Sequence, residues 1–216
     1  IYLTGNPQIT FFKVVYRRHT NFSMEAIEQT WNGTSDADGR CTATISRNGD
    51  LVHRMYLEFV ISGSAANDRD NATAAAITNI ELEIGGQKID KHSGQWLETW
   101  AELTEKNPSG ATMESDAQDT GTLFQKMSGM GGCTSVGGID LADGTYHVPL
   151  QFWFCRNPGL ALPLIALQYH EVKVKMTLRT AAKMAKQTGG TTTTTASATD
   201  PTSTNLWVNY IYLDTD

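Results

Sequence analysis

The most regular alternation of apolar and polar residues lies between residues 158 and 179. In its second half the apolar side chains from Val172 to Leu178 alternate with charged or hydroxyl residues. A period of two predicts a β-strand with one buried and one solvated face. The first half is a dense apolar run that contains Pro158 and Pro163, and proline removes a ladder donor from a central strand. We therefore predict a strand at 171–179 preceded by a buried connection, with one helical turn started by Pro163.

The same reasoning predicts the other strands of the chain. Asn48-Gly49 and Gly85-Gly86 are turn signals between apolar segments, and Asn-Gly is the strongest short hairpin signal. One further strand is predicted at residues 9–17, before the eight strands of the sandwich. The eight strands of the predicted sandwich, lettered B to I, are residues 26–31, 41–46, 51–62, 77–84, 87–90, 147–154, 171–179 and 206–213.

One segment has a helical rather than a strand period. Trp96, Leu97, Trp100 and Leu103 are spaced at one side of a helix, so residues 96–103 are predicted to form an amphipathic helix lying on the sandwich. Tryptophans at this spacing more often pack in a core than bind a ligand. The helix is nevertheless a candidate contact region, together with the long loop that follows it, because loops of that length seldom exist without a partner.

The loop lengths are uneven. Residues 104–144 and 181–205 are long, polar and rich in Gly, Ser and Thr, whereas the C–D and E–F connections are tight turns. We predict an all-β fold, an eight-stranded antiparallel jelly-roll sandwich with one short amphipathic helix and long loops at one end. Residues 1–25 are predicted to be an N-terminal strand and lead-in, and residues 26–216 a single jelly-roll domain. Because the chain starts at Ile1 and stops abruptly, we expect a fragment of a longer protein.

Composition and charge exclude several classes of function. The net charge is −6 and the pI about 5.3, without a basic stripe, so direct nucleic-acid binding is not expected. No apolar run is long enough for a transmembrane helix. Three cysteines without CxxC spacing, Cys41, Cys133 and Cys155, are predicted to be reduced and mostly buried thiols.

Catalytic and ligand-binding patterns are not found in the sequence. The five histidines are dispersed, and His170-Glu171 would point to opposite faces of a strand, so no metal site is predicted. No cofactor motif or nucleophile elbow occurs, and we predict that the protein is not an enzyme. The sequons at Asn32 and Asn71 are candidate N-glycosylation sites, although so short a pattern also occurs by chance.

Five segments carry a resemblance to a known family. The sequence resembles major capsid proteins of nucleocytoplasmic large double-stranded DNA viruses, the type that infects algae and amoebae. The similarity extends from end to end, although the loops at 104–144 and 181–205 match no known pattern. The segments are residues 3–13 (LTGNPQITFFK) with 15–18 and 20–22, 45–51 (ISRNGDL), 81–92 (ELEIGGQKIDKH), 158–173 (PGLALPLIALQYHEVK) and 207–215 (WVNYIYLDT).

The resemblance implies a structural protein. Family members are double jelly-roll proteins that form homotrimers, and these give pseudo-hexagonal capsomers that tile an icosahedral shell. This chain looks like the first of the two jelly rolls, with the second absent. The implied partners are copies of itself, neighbouring capsomers and minor capsid proteins. The implied location is the virion, after synthesis in the host cytoplasm, with the elaborated loops outside and the blunt end inside.

Trp96, Trp100 and Leu103 are the candidate assembly contacts, together with the long F–G loop. The alternative function is a lectin-like jelly-roll module that binds host glycans through its outer loops. An exposed aromatic residue in a loop cleft would favour it, and Tyr146 is the residue of that type near the F–G loop.

Overall fold

The computed structural model describes residues 21–35, 38–61, 72–105, 122–131, 144–179 and 201–213. The strand predicted at residues 9–17 lies outside these ranges. So do Asn71, Cys133 and most of the two long loops.

Two antiparallel sheets form the body of the described structure. The first contains β1 (Phe22–Gln29), β4 (Leu51–Ile61), β7 (Gly144–Pro149), β8 (Leu162–Pro163) and β10 (Pro201–Leu213). The second contains β2 (Trp31–Gly33), β3 (Arg40–Thr44), β5 (Ile77–Ile84), β6 (Gln87–His92) and β9 (Val172–Leu178).

The order of the strands confirms the predicted jelly roll. The first sheet runs β1-β10-β4-β7, which is B-I-D-G in the letters used above, and β8 pairs with β4. The second runs β2-β3-β9-β5-β6, which is C-H-E-F with β2 added at the edge. Most hydrogen-bonded neighbours are distant in sequence, as in a Greek-key arrangement, whereas β2–β3 and β5–β6 are consecutive pairs. We refer to them as the B-I-D-G sheet and the C-H-E-F sheet.

Strand B differs from the prediction. It begins at Phe22, so the predicted domain boundary at residue 25 falls inside β1. It also divides at Thr30: β1 pairs with β10 in one sheet, and β2 pairs with β3 in the other. One strand that passes between two sheets has a single continuous sequence pattern, so the sequence did not reveal the division.

The described helices outnumber the single predicted one. They are α1 (Ala72–Ala76), α2 (Gly94–Thr104), α3 (Leu123–Ser128) and α4 (Trp153–Arg156), with short 3-10 turns at Pro158–Leu160 and Ile165–Leu167. Helix α2 corresponds to the prediction, and α3 lies within the segment predicted to be loop. Strand G was predicted to reach Phe154, but β7 ends at Pro149. The following turn of helix buries Phe154 and Cys155 while Phe152 stays in the core.

The start of α2 is specified locally. The Ser93 hydroxyl accepts a hydrogen bond from the Trp96 amide at 3.1 Å, which is a standard N-terminal cap. Gly94 follows, and its Cα lies so close to α1 that an added Cβ would be 1.9 Å from the Ala74 carbonyl oxygen. The glycine therefore permits the contact between the two helices.

The core lies between the sheets. Strand β9 alternates as predicted, with Val172 and Val174 buried and Lys173 and Lys175 partly exposed. Facing it are buried residues of the other sheet, such as Leu57 of β4. The inner faces of both sheets thus form one apolar layer, which is the main source of stability in a sandwich.

The apolar corner before β9 is only partly buried, contrary to the prediction. Leu162 and Leu164 are buried, because β8 adds to β4 at Leu51 and Val52 and turns these side chains inward. The flanking 3-10 turns point outward, and they leave Leu160 51% and Ile165 64% exposed.

The two ends of the sandwich differ as predicted. At the blunt end, the Arg47 guanidinium donates to the Leu167 carbonyl at 2.6 Å, and the Gly85 amide donates to the Glu171 carbonyl at 2.9 Å. These bonds join the C–D turn, the E–F turn and the G–H corner. At the elaborated end, the Arg179 amide donates to the Ala76 carbonyl at 2.8 Å.

Candidate assembly surface

An aromatic column runs along one side of the sandwich, where α2 meets the segment after β7. The rings of His92 and Trp96 are stacked with centroids 4.2 Å apart, and His92 also stacks on Phe152 at 4.9 Å. Trp100 stacks on Trp96 at 5.4 Å, and the Arg156 guanidinium lies 4.5 Å from the Trp100 centroid. The column attaches α2 to the sandwich through ring stacking and a cation–π contact.

The three candidate contacts predicted on α2 differ in their exposure to solvent. Trp96 and Trp100 are partly buried and engaged within the chain, whereas Leu103 at the end of the helix is 76% exposed. The structure therefore assigns the two tryptophans an internal packing role, and only Leu103 offers most of its side chain to a partner. Assembly through these residues remains a prediction.

His92 is unusually placed for a histidine. It is buried, its Nε2 lies 3.3 Å from Asp90 Oδ2, and its Nδ1 has no hydrogen-bond partner among the described residues. Burial lowers the pKa of His92 below its ordinary value of 6.5, as does the charge of Arg156, while the Asp90 carboxylate opposes the shift. The neutral imidazole is the form that fits this stack.

Helix α3 holds part of the F–G segment against the elaborated end. Gln125 is fully buried; its amide Nε2 donates to the Gly131 carbonyl at 2.6 Å, and its Oε1 accepts from the Thr122 amide at 2.8 Å. Thr73 of α1 donates its hydroxyl to the Ser128 carbonyl at 2.6 Å. Buried, satisfied polar groups of this kind specify one arrangement of the chain.

The outer face of the C-H-E-F sheet is charged. Glu81 and Glu83 of β5 lie opposite Lys175 and Lys173 of β9 in the strand register. Glu83 forms an ion pair with Lys175, and Glu81 with Lys91 of β6 at 3.2 Å. Lysine and glutamate on adjacent strands keep this face hydrated.

The outer face of the B-I-D-G sheet has a different character. At its centre, the Glu58 carboxylate accepts hydrogen bonds from Asn205 Nδ2 at 2.9 Å and Trp207 Nε1 at 3.1 Å. His147 Nε2 lies 3.4 Å from the same carboxylate, and the His147 ring meets Tyr56 edge-on. Aromatic and amide groups thus surround one carboxylate.

Exposed apolar side chains extend this face toward the blunt end. Phe22 is 61% exposed, Met24 49% and Leu213 43%. Phe22 is opposite Leu213 in the β1–β10 register, and Met24 is opposite Ile211. Ile211 is buried but does not belong to the core between the sheets.

The blunt end carries a second set of exposed apolar side chains, beside a cleft. An open cleft of about 460 Å³ lies between the C–D turn and the G–H corner, lined among others by Arg47, Leu167 and Tyr169. Tyr169 is 94% exposed and Ile165 64%. The lining of the cleft is mostly polar or charged, and exposed apolar side chains stand beside it.

The remaining predicted residues have varied outcomes. Asn32 is exposed in the edge strand β2, so its amide is accessible, and its glycosylation stays a prediction. Tyr146 is only 8% exposed within β7, so the residue chosen as support for carbohydrate binding does not form an exposed platform. Cys41 and Cys155 are free and buried, as predicted, and burial raises the pKa of each to about 12.

The described residues contain neither a cluster of metal-ligating side chains nor a membrane-spanning helix. Within the ranges given above, no group of three or more His, Cys, Asp or Glu side chains could hold a metal ion. None of the helices in the described part of the chain is long and apolar enough to cross a membrane.

Sequence reasoning missed several residues of these surfaces. It did not single out Glu58, Trp207 or His147, because their contacts join strands that are far apart in sequence. It also missed Gln125, although Thr122 followed three residues later by Gln125 is a capping-box signal that could have indicated α3.

Comparisons with known proteins agree with this architecture. The family model described as "Major capsid protein N-terminus" matches residues 10–214. The major capsid protein of Pyramimonas orientalis virus is 48% identical over 218 residues, covering 100% of this chain and 50% of the relative. That of Paramecium bursaria Chlorella virus 1 is 42% identical, covering 100% of this chain and 45% of the relative.

A solved structure is similar as well. The PBCV-1 VP54 protein superposes with a TM-score of 0.69 and 37% sequence identity, covering 95% of this chain and 46% of that one. The chain thus spans about half the length of the curated relatives it matches. The resemblance stated from the sequence is confirmed: the chain belongs to the family of major capsid proteins of nucleocytoplasmic large double-stranded DNA viruses, and it matches the N-terminal part of that family.

Proposed function

We propose that the chain is a structural subunit of an icosahedral virus shell, in which copies associate as homotrimers that form pseudo-hexagonal capsomers. The observation that carries this proposal is the jelly roll with B-I-D-G and C-H-E-F sheets, in a chain that belongs to the major capsid protein family. Solved structures with the same fold include one titled "PBCV-1 virus capsid, quasi-atomic model". The work of such a protein is association through buried surface rather than catalysis.

The asymmetry between the ends supports an orientation in the shell. We place the elaborated end, with α1 and α3, on the outside of the virion. The blunt end would face the interior and contact minor capsid proteins. The exposed Ile165 and Tyr169 beside the blunt-end cleft support this assignment, because exposed apolar side chains around a cleft suit a protein partner.

The domain organisation belongs to the same proposal. The described strands from β1 to β10 close one jelly roll, while the relatives are about twice as long as this chain. We propose that residues 26–216, with the start of β1, correspond to the first of two jelly rolls. The lead-in before them and synthesis in the host cytoplasm remain predictions.

The direct test is the mass of the particle in solution. Light scattering coupled to size exclusion, over a wide range of concentrations, should show a species of three times the 23.7 kDa chain mass. Electron microscopy of that species should show three barrels arranged about a three-fold axis. A chain that remains single at every concentration would contradict self-association.

The carbohydrate-binding alternative has a separate test. A glycan array probed with the labelled chain should give no signal, because Tyr146 is buried. A reproducible signal for one glycan class would favour a lectin-like role for the elaborated end.

A further inference from the structure

We propose that the outer face of the B-I-D-G sheet, from Phe22 and Met24 at the blunt end to Trp207 and Tyr56 at its centre, is the surface on which a second copy of this chain docks. The proposal rests on the proposed function, because it assumes that copies associate. It adds which side of the sandwich makes the contact.

The strand register makes these residues one surface. Leu206 and Val208 of β10 are fully buried between the sheets, so Trp207 between them points outward. Trp207 is opposite Glu28 of β1 and Tyr56 of β4. Phe22 and Met24 alternate in β1 with the same outward direction as Glu28, and they meet Leu213 and Ile211 across the register.

The composition of this face is that of a protein interface. Tryptophan and tyrosine are enriched at the centres of interfaces, and lysine is depleted. Trp207 and Tyr56 occupy the middle of the B-I-D-G face, whereas Lys173 and Lys175 occupy the middle of the C-H-E-F face. Removing water from the C-H-E-F face, which carries the lysine ion pairs, would therefore cost more free energy than removing it from the B-I-D-G face.

The polar group at the centre is already satisfied. Asn205 and Trp207 donate to the Glu58 carboxylate, and His147 lies beside it, so this charge has partners before any second chain arrives. A partner surface therefore does not need to supply a cation at that point.

The size of the face is adequate. Strand β1 is eight residues long and the sheet is four strands wide, not counting the short β8. At about 3.4 Å per residue and ~4.8 Å per strand, the flat area is on the order of 500 Å². Side chains that stand out from the sheet increase the accessible area toward the roughly 800 Å² per partner of a standard interface.

The family to which the chain belongs indicates which partner would cover the B-I-D-G face. The chain belongs to a family of major capsid proteins, and in a shell built mainly from one protein most neighbours are further copies of it. Contacts within a closed ring of three copies are heterologous, so this face would meet a different face of the next copy.

Substitutions at exposed positions test the proposal without disturbing the core. Met24→Lys and Phe22→Lys place a charge on the face at side chains that are 49% and 61% exposed. Ile89→Lys is the matched control, because Ile89 is 50% exposed on β6, the edge strand of the other sheet. Circular dichroism and urea unfolding would verify that all three variants fold like the parent chain.

Sedimentation measures the result. We expect Met24→Lys, and the double variant more strongly, to weaken self-association by at least about tenfold, and Ile89→Lys to leave it unchanged. If the parent associates and all variants associate equally, or if only Ile89→Lys is defective, the proposed face is wrong although self-association stands. If the parent itself never associates, the proposed function fails and this inference with it.

Cross-linking identifies what covers the face. A photoreactive group introduced by Met24→Cys and labelling, in a chain whose other cysteines are buried or replaced, should link two chains. Links found only within single chains would show that the protein covers its own face, and would overturn docking by a second copy.

Discussion

The imidazole of His92 lies flat against the indole of Trp96, with the ring centroids 4.2 Å apart and an interplanar angle of 16°. This stack connects the last residue of β6 with the first turn of α2. His92 therefore helps to attach α2 to the sandwich, and protonation of the His92 imidazole should affect that attachment.

We predict that the protein loses stability as the pH falls below about 6.5, through His92. The pKa of His92 is lowered in the folded state, first by burial, so the unfolded chain binds the proton more tightly. His92 then leaves the free energy of unfolding unchanged above pH 6.5, the ordinary pKa of histidine. Below that pH the free energy of unfolding decreases, by at most about 1.4 kcal/mol per pH unit. Urea unfolding at about pH 7.5 and about pH 5.5 measures the change.

The variant His92→Phe should remove this contribution. A phenyl ring can stack on Trp96 and Phe152 but cannot bind a proton, so the decrease in stability between the two pH values should be smaller than in the parent. His170→Gln is the control, because His170 is exposed, and it should retain the parent's response. An identical pH response in His92→Phe and the parent would contradict the assignment.

Gly94 should be irreplaceable by alanine. The added Cβ would lie 1.9 Å from the Ala74 carbonyl oxygen and 2.7 Å from that of Ile77, so α1 and α2 would have to separate. We expect Gly94→Ala to cost about 3 kcal/mol or more. Gly159→Ala, whose Cβ would approach nothing closer than 3.4 Å, should change stability by less than about 1 kcal/mol. Equal stabilities of the two variants in urea would refute the close approach.

Gln125 should hold α3 in place. Its replacement by alanine leaves the Gly131 carbonyl and the Thr122 amide without these partners, at a cost of about 1–3 kcal/mol for each group that stays buried. We expect the amides of residues 123–131 to exchange with solvent faster in Gln125→Ala while those of β9 stay protected. Met127→Ala, at a side chain 51% exposed, serves as control and should leave the exchange pattern unchanged.

The two buried cysteines should be inert in the folded protein. Burial raises the pKa of Cys41 and of Cys155 to about 12, so at about pH 8 the reactive thiolate is about a thousandfold rarer than for an ordinary thiol. In a Cys133→Ser background, iodoacetamide should modify neither residue until urea unfolds the chain. Rapid modification of the folded protein at either position would show that the site opens.

Local patterns in the sequence were sufficient for most of the scaffold. The alternation in β5 and β9, the turns at Asn48-Gly49 and Gly85-Gly86, and the helical spacing of Trp96 and Trp100 each depend on neighbouring residues alone. The same holds for the contrast between tight turns and long loops, which correctly separated the two ends of the jelly roll.

Long-range pairing decided the rest. An aromatic run such as the one that includes Phe152 and Phe154 suits a strand or a helical turn equally well, and only its packing against β4 selects the turn. Strand B divides between two sheets because its partners, β10 and β3, belong to different layers. The sequence by itself determined the alternating strands, the turns and the jelly-roll class. Only the tertiary structure decided that Trp207 meets Tyr56 on one outer face while Glu83 meets Lys175 on the other, because strand register joins residues that no local pattern relates.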